Sequence, residues 1–194
     1  VTASFAGSFG VGIHGAMTNI KASGSELDST AAQTVNDVSV NSAQVHNDVV
    51  IPGWYAEYTH ELDYIGSLTL GYEAVPGAAD VSNSVLNRTD TELSVDGTPA
   101  GTSNQRKFKA QVEVDNYNTI YLEAPIPLFN LTDNGAYIRL GFSQIDVNTQ
   151  EVASGDGGSY GNTSVDGMNY GIGFKNNMTD NLIMKISYEV TDFE

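Results

Sequence analysis

Apolar and polar residues alternate along several segments of the chain, most clearly in its last thirty residues. A period of two over nine or ten residues is typical of a β-strand. The Asp180-Asn181 pair between the two final segments consists of residue types that are common in turns. Each strand therefore has one apolar face and one polar, glycine-rich face. The apolar series are Met168, Tyr170, Ile172 and Phe174, then Leu182, Met184, Ile186, Tyr188 and Val190.

The same pattern recurs along the chain and predicts seven strands, with a bulge in the fifth near Gln144. The predicted bounds are about 3–20, 49–62, 68–74, 106–124, 136–149, 168–175 and 182–191.

The connections between these strands alternate between long and short. Long polar stretches cover 22–48, 77–105 and 150–164, whereas the turns near Asp63, at 125–135 and at 176–181 are brief. This asymmetry predicts one domain over 1–194, an all-β antiparallel up-and-down meander that forms a transmembrane β-barrel with long external loops. A soluble β-sandwich with Greek-key connections has no reason to sort its loops in this way.

Alternation alone does not separate a barrel from a sandwich, because a soluble sheet also has one polar face. Three features favour the barrel. The apolar faces of the strands carry no charge, and the aromatic residues on these faces lie toward the strand ends. The polar faces of the strands contain many glycines, which leave room for long side chains in a narrow lumen.

The strand registers divide the residues into two predicted sets. The lipid-facing set is Phe9, Val11, Trp54, Leu68, Leu70, Val112, Leu140, Phe142, Ile172, Met184 and Ile186. The lumen set, in which charges of both signs are expected to pair, is Glu57, Glu73, Lys109, Glu113, Arg139, Lys175, Lys185 and Glu189. These inward charges form either a structural ion-pair plug or the lining of a narrow polar pore.

Composition narrows the possible functions. The 194 residues have a formal net charge of −16, which disfavours nucleic acid as a partner. The chain has no cysteine, and its three histidines lack partners at a spacing that indicates catalysis or zinc binding. We therefore expect no enzyme, no cofactor and no metal centre. The long loops are acidic, which either keeps them hydrated or lets them coordinate divalent cations or a surface ligand.

Three segments also carry a family resemblance. They are 131–142, 167–175 and 178–188, in which a turn or a glycine-rich stretch leads into an alternating strand. The chain resembles the small outer-membrane β-barrel proteins of Gram-negative bacteria, the OmpA-like, OmpX-like or porin-family barrels. The resemblance implies a bacterial outer-membrane location and contact with outer-membrane lipid and lipopolysaccharide. It also implies a non-enzymatic role in envelope integrity or surface contact, with at most a narrow passive pore.

The strand count departs from this family, whose members usually have eight strands. Seven strands leave the first and the last unpaired, so we expect a gap between them and an eighth strand after Glu194. The alternative function is that of a soluble secreted β-sandwich, acting as an adhesin or a carbohydrate-binding module.

Overall fold

The computed structural model describes residues 7–29, 38–62, 66–81, 86–91, 105–126, 134–153 and 161–194. None of these segments is a helix, and so none is a helix that could span a membrane. The strands are β1 (Gly7–Ser29), β2 (Val38–Leu62), β3 (Gly66–Val75), β4 (Ala79–Asp80), β5 (Leu86–Thr91), β6 (Gln105–Pro125), β7 (Gly135–Ala153), β8 (Thr163–Thr179) and β9 (Leu182–Phe193).

All nine strands belong to one sheet, in the order β1-β2-β3-β6-β7-β8-β9. Every neighbouring pair is antiparallel, and the short strands β4 and β5 pair with β6 beside β3. The sheet is strongly curled into a half-barrel, which confirms the predicted all-β meander. The described strands thus form a single curled sheet, in contrast to the two packed sheets of a sandwich.

The strand termini define two ends of this sheet. What we call the turn end contains Leu62, Gly66, Pro125, Gly135, Thr179 and Leu182, and the loop end contains Ser29, Val38, Val75, Gln105, Ala153 and Thr163. Several strands extend further toward the loop end than predicted. The β1–β2 ladder continues to the Ser29–Val38 pair, so much of the polar stretch 22–48 is strand. Backbone ladder bonds need no apolar side chains, and the prediction followed apolar alternation alone.

The one large irregularity beside β7 is a bulge in β6. Asp115 pairs with Asp146 and Asn118 with Gln144, so β6 contains one more residue than β7 between these pairs. Asn116 has a φ of 53°, and its backbone N–H donates to Asp115 Oδ1 at 2.6 Å. The bulge predicted near Gln144 therefore lies in the opposite strand, and β7 pairs with β8 without interruption.

This bulge exchanges the two faces of β6 toward the loop end. Val114 is buried on the inner side, and Val112 shares its face by alternation. Glu113 instead accepts a hydrogen bond from Gln150 Nε2 at 3.4 Å on the outer side. The predictions that Val112 faces outward and Glu113 faces the lumen are wrong. The extra residue in the bulge reverses the side chains on its loop-end side, relative to those on its turn-end side.

On the turn-end side of the bulge, the inner face of the sheet carries charged and polar side chains and the outer face carries apolar ones. This is the reverse of the usual arrangement in a soluble protein. The buried side chains include charged and polar ones from β2, β3, β6, β7 and β8, while large apolar side chains cover the outer surface. Exposed examples are Phe9, Val11, Ile13, Trp54, Leu70, Ile120, Leu140, Phe142, Ile172, Phe174, Ile186 and Tyr188.

Glycines on the inner face let aromatic rings lie flat across the neighbouring strand. A Cβ added to Gly71 would lie 2.2 Å from Cζ of Tyr121, its direct cross-strand partner. Gly173 stands in the same relation to Tyr137. The expected room for long charged side chains is thus occupied here by tyrosine rings, which shield the glycine backbone.

The sheet ends at β1 on one side and at β9 on the other. Within the described residues no ladder joins these two strands, which agrees with the expected gap between the first and last strands. Among the described side chains, the most exposed apolar ones are accordingly Phe9, Val11, Ile13 and Met17 of β1, each at least 85% exposed.

Candidate functional site

The inner face carries six charged side chains that we call the interior network: Glu57, Glu73, Glu123, Arg139, Lys185 and Glu189. Alternation along β2, β3, β6, β7 and β9 turns each of them away from the apolar outer surface. Their neighbours on the inner face are glycines and tyrosines, so the charged ends meet in the middle of the curled sheet.

Lys185 of β9 forms one half of the interior network. Its ammonium group contacts the Glu57 carboxylate of β2 and donates to Glu123 Oε2 of β6 at 2.7 Å. The Lys185 Nζ atom also lies 5.6 Å and 5.5 Å from the ring centroids of Tyr55 and Tyr137. This lysine therefore connects strands from opposite sides of the half-barrel.

Arg139 of β7 forms the other half. Its side chain is 5% exposed and donates to Glu73 Oε2 at 2.6 Å and to Glu189 Oε1 at 3.1 Å. Its guanidinium carbon lies 3.5 Å from the ring centroid of Tyr121. A planar guanidinium suits this arrangement, since it can donate to two carboxylates and stack on a ring at once.

Tyr121 joins the two halves, because its hydroxyl donates to Glu57 Oε1 at 2.7 Å. Removing a charged group from water is costly unless it is paired and hydrogen-bonded. Here every buried carboxylate of the interior network has a cationic partner, so the network is a cross-brace between strands that are not neighbours.

A second inner layer lies on the loop-end side of the interior network and contains only neutral side chains. The Tyr117 hydroxyl lies 3.0 Å from Thr191 Oγ1 and accepts a hydrogen bond from Ser143 Oγ at 3.1 Å. Thr119 and Ser143 share a 2.7 Å hydrogen bond, and Asn169 donates to Thr191 at 3.1 Å. The interior is thus filled by side chains in successive layers, and both layers are extensively hydrogen-bonded.

The structure brings together five of the eight predicted lumen residues: Glu57, Glu73, Arg139, Lys185 and Glu189. Lys175 also points inward, but it donates to Ser67 Oγ at 2.9 Å. Glu113 lies on the outer side, as described above. The side chain of Lys109 lies outside the described residues.

Of the predicted outward set, Val112 alone turns inward. The others lie on the outer face, and nine of them are exposed by 44% or more: Phe9, Val11, Trp54, Leu70, Leu140, Phe142, Ile172, Met184 and Ile186. Leu68 is partly exposed on the same face.

Sequence reasoning missed Glu123 and the tyrosines of the interior. Glu123 follows Leu122 in an alternating run, and that alternation was the signal that could have placed it inward. Tyr121 and Tyr117 occupy the same set of alternate positions as Glu123, but a tyrosine side chain is compatible with either face. Only the register with Gly71 shows why the Tyr121 ring lies inside.

Most of the acidic side chains in the predicted cation-binding loops lie outside the described residues. In the described part, no three histidine or acidic side chains are grouped so that they could hold a metal ion. An open pocket does lie outside the bulge, between Asp115, Asn116, Asp146 and Ser164. Hydrogen bonds from Ser164 and Asn116 lower the pKa of the Asp146 carboxyl, so these side chains already satisfy one another.

The fold and site together define an all-β protein of one curled antiparallel sheet with an ionic interior and an apolar exterior. Comparison with known proteins gives no matching family model, no matching curated protein and no matching solved structure. The function is therefore argued from the geometry.

Proposed function

We propose that this chain is a non-enzymatic outer-membrane β-barrel protein that contributes to envelope integrity or surface contact. The observation that carries the proposal is the inverted distribution of polarity, with the interior network buried and large apolar side chains exposed. Soluble monomers rarely expose contiguous apolar patches beyond a few hundred square ångströms. A lipid environment makes the same surface favourable.

The height of the apolar surface is consistent with this proposal. Outward apolar positions run from Leu182 to Val190 on β9, and from Phe9 to Met17 on β1 with Gly15 between them. A tilted strand needs roughly 9–11 residues to cross the hydrocarbon core. Each of these series covers nine residues, which is close to the length that a strand needs to cross the hydrocarbon core of an outer membrane.

Aromatic side chains lie where that interface would begin. On the outer face toward the loop end, the Tyr72 hydroxyl donates to Asn118 Oδ1 at 2.6 Å, and the Tyr170 hydroxyl donates to Asp192 Oδ2 at 2.9 Å. Trp54 packs beside Tyr72, with ring centroids 5.6 Å apart. Amphipathic rings with a polar contact on one side are typical of the membrane–water boundary.

The filled interior supports a structural role over that of a wide channel. The interior network and the second, neutral inner layer both cross the space inside the sheet. The buried valines Val75, Val81 and Val114 lie further toward the loop end. We propose that the charges act as an ion-pair plug, and that steady conductance in planar bilayers is absent or far below that of a 16-stranded porin. Large, steady channels from purified protein would exclude the plug and favour the polar-pore alternative.

The proposed location is the bacterial outer membrane, with outer-membrane lipid and lipopolysaccharide as the surrounding partners. The family resemblance of 131–142, 167–175 and 178–188 supports this location together with the apolar exterior. The acidic residues near the loop end, such as Asp48, Asp146 and Asp166, suit a hydrated surface outside the lipid.

Trp54, the only tryptophan, gives a direct test. Fluorescence of the protein refolded into vesicles should be quenched by lipids brominated on their acyl chains, because Trp54 lies on the outer face. The double variant Trp54→Tyr with Tyr188→Trp should be quenched as well. The matched control, Trp54→Tyr with Asp48→Trp, moves the indole six residues toward the loop end on the same face of β2 and should be quenched much less.

Equal quenching of both double variants, or none at any position, would contradict membrane insertion. Extraction of the protein from cells without detergent would contradict it independently and would favour a soluble secreted protein.

A further inference from the structure

Both faces of the sheet change their chemistry toward the loop end, and β7 shows this most clearly. On its outer face Phe142 is 71% exposed, and the polar Asp146 lies further along the same face. On its inner face the buried Ser143 is followed by Ile145 and Val147. The outer face thus turns from apolar to polar, and the inner face turns from polar to apolar. We call this transition the polarity change.

The neighbouring strand β6 makes the same change in a different way. Its apolar residues Val112, Val114 and Ile120 all occupy even positions in the sequence. The bulge between Asp115 and Asn118 moves Val112 and Val114 to the inner face, while Ile120 stays on the outer face. In β7 the alternation itself slips, and its ladder with β8 has no bulge. Two adjacent strands therefore reach the same inversion by independent routes, which indicates that their surroundings require it.

The strands on either side agree with β6 and β7. Asn19 of β1 donates to Asp48 of β2 at 2.6 Å, and Gln144 of β7 donates to Asp166 of β8 at 2.9 Å. The first polar positions of neighbouring strands are thus hydrogen-bonded across the outer face. The outer face changes from Met17 to Asn19 in β1, from Val50 to Asp48 in β2 and from Met168 to Asp166 in β8.

The inner apolar side chains beyond the polarity change form what we call the loop-end core. Val114 of β6 is the direct cross-strand partner of Val147 of β7, and the Val81 N–H donates to the Val112 carbonyl at 2.8 Å. Apolar side chains inside and polar ones outside are the arrangement of a sheet that faces water. The members of the loop-end core are Val75, Val81, Val112, Val114, Ile145 and Val147.

We infer that the sheet leaves the lipid at the polarity change and continues into water as a folded extramembrane wall, which the loop-end core holds together. The inference rests on the proposed membrane insertion, because the apolar outer surface nearer the turn end defines the lipid zone. Burial of an apolar core stabilises this wall only where water is the surrounding solvent. Carboxylates such as Asp48 and Asp146 on the outer face are costly in hydrocarbon and favourable in water. The two parts of one sheet therefore suit two different solvents.

Single cysteines in lipid nanodiscs test where the lipid ends, because the chain contains no cysteine and both faces of a nanodisc are open to reagent. Asp146 and Ser164 are direct cross-strand partners beyond the polarity change. Phe142 and Met168 are direct partners on the same face, four residues nearer the turn end. We expect a membrane-impermeant maleimide to label Asp146→Cys and Ser164→Cys at least about tenfold faster than Phe142→Cys and Met168→Cys, because lipid excludes the thiolate.

A cysteine at Val147 tests the loop-end core. Val147 follows Asp146 in the sequence but lies on the inner face. We expect Val147→Cys to be labelled at least about tenfold more slowly than Asp146→Cys, in detergent as well as in nanodiscs, because packing protects this thiol. Val114→Cys, at its cross-strand partner, gives a second measurement of the same core.

Slow labelling of both Asp146→Cys and Ser164→Cys in nanodiscs would overturn the inference, because these positions would then lie in lipid. Rapid labelling of both Val147→Cys and Val114→Cys would also overturn it, since the wall would have no packed core. Quenching of Trp54 by brominated lipid is measured separately. Quenching together with either of these results rejects the extramembrane wall alone. Rapid labelling of Phe142→Cys and Met168→Cys without quenching rejects membrane insertion itself, on which the inference rests.

Discussion

Replacing Arg139 by methionine tests whether the interior network holds the sheet together. Methionine keeps much of the length of the arginine side chain but removes its charge and all of its donors. The change leaves Glu73 and Glu189 without the guanidinium that contacts both, and it removes the group stacked on Tyr121.

The expected loss in free energy of unfolding is about 3–5 kcal/mol, the usual cost of removing one partner of a buried ion pair. Arg139 is 5% exposed, so water does not replace the missing contacts. Arg139→Lys should lose less, about 1–3 kcal/mol, because an ammonium group keeps the charge but cannot form both fork contacts and the ring contact.

The measurement is denaturant unfolding of the refolded protein in detergent or lipid, followed by Trp54 fluorescence. Lys21→Met is the matched control, since it removes an exposed cation from β1 and should change stability by no more than about 0.5 kcal/mol. Adding Glu73→Gln and Glu189→Gln to Arg139→Met should recover part of the loss, because the uncompensated charges are then gone.

A loss below about 1 kcal/mol for Arg139→Met would refute the proposed cross-brace. Failure of the triple variant to recover any stability would show instead that packing, and not charge, accounts for the effect.

Three further substitutions test other parts of the structure by the same unfolding measurement. Leu140→Arg should destabilise the protein in lipid by roughly 2–4 kcal/mol if it lies near mid-bilayer, while Gln144→Arg, nearer the loop end on the same face, should cost at most about 1 kcal/mol; equal effects would contradict the proposed membrane depth. Gly141→Ala should cost about 1–3 kcal/mol, because its Cβ would lie 2.7 Å from a backbone oxygen, whereas Gly10→Ala should be neutral or stabilising; equal losses would refute the packing argument. Asn116→Val should lower the free energy of unfolding by about 1–2 kcal/mol and Asn116→Gly by much less, because φ at this position is 53°. Equal losses for the two variants would show that the bulge can relax.

Much of the fold could be predicted because alternation is a local property. Leu140, Phe142 and Ile172 lie on the outer face, as their parity indicates, and Arg139 and Lys185 lie on the inner face. In a meander each strand pairs with its neighbour along the chain, so the order of strands also follows from the sequence.

The errors at Val112 and Glu113 have a single cause. Apolar alternation continues through Val112 and Val114 as it does through Ile120, and nothing in the local pattern marks an extra residue between them. The bulge becomes visible only when β6 is aligned with β7, because a bulge is a difference in length between two paired strands.

The sequence by itself determined which side chains share a face and that the chain forms an antiparallel meander, because both follow from a period of two and from the lengths of the connections. Only the tertiary structure decided which charges meet. Lys185 and Glu57 are separated by 128 positions in the sequence, and their contact depends on how strongly the sheet curls. The curl, the bulge and the gap between β1 and β9 arise from the pairing of whole strands, and no single segment contains the information that sets them.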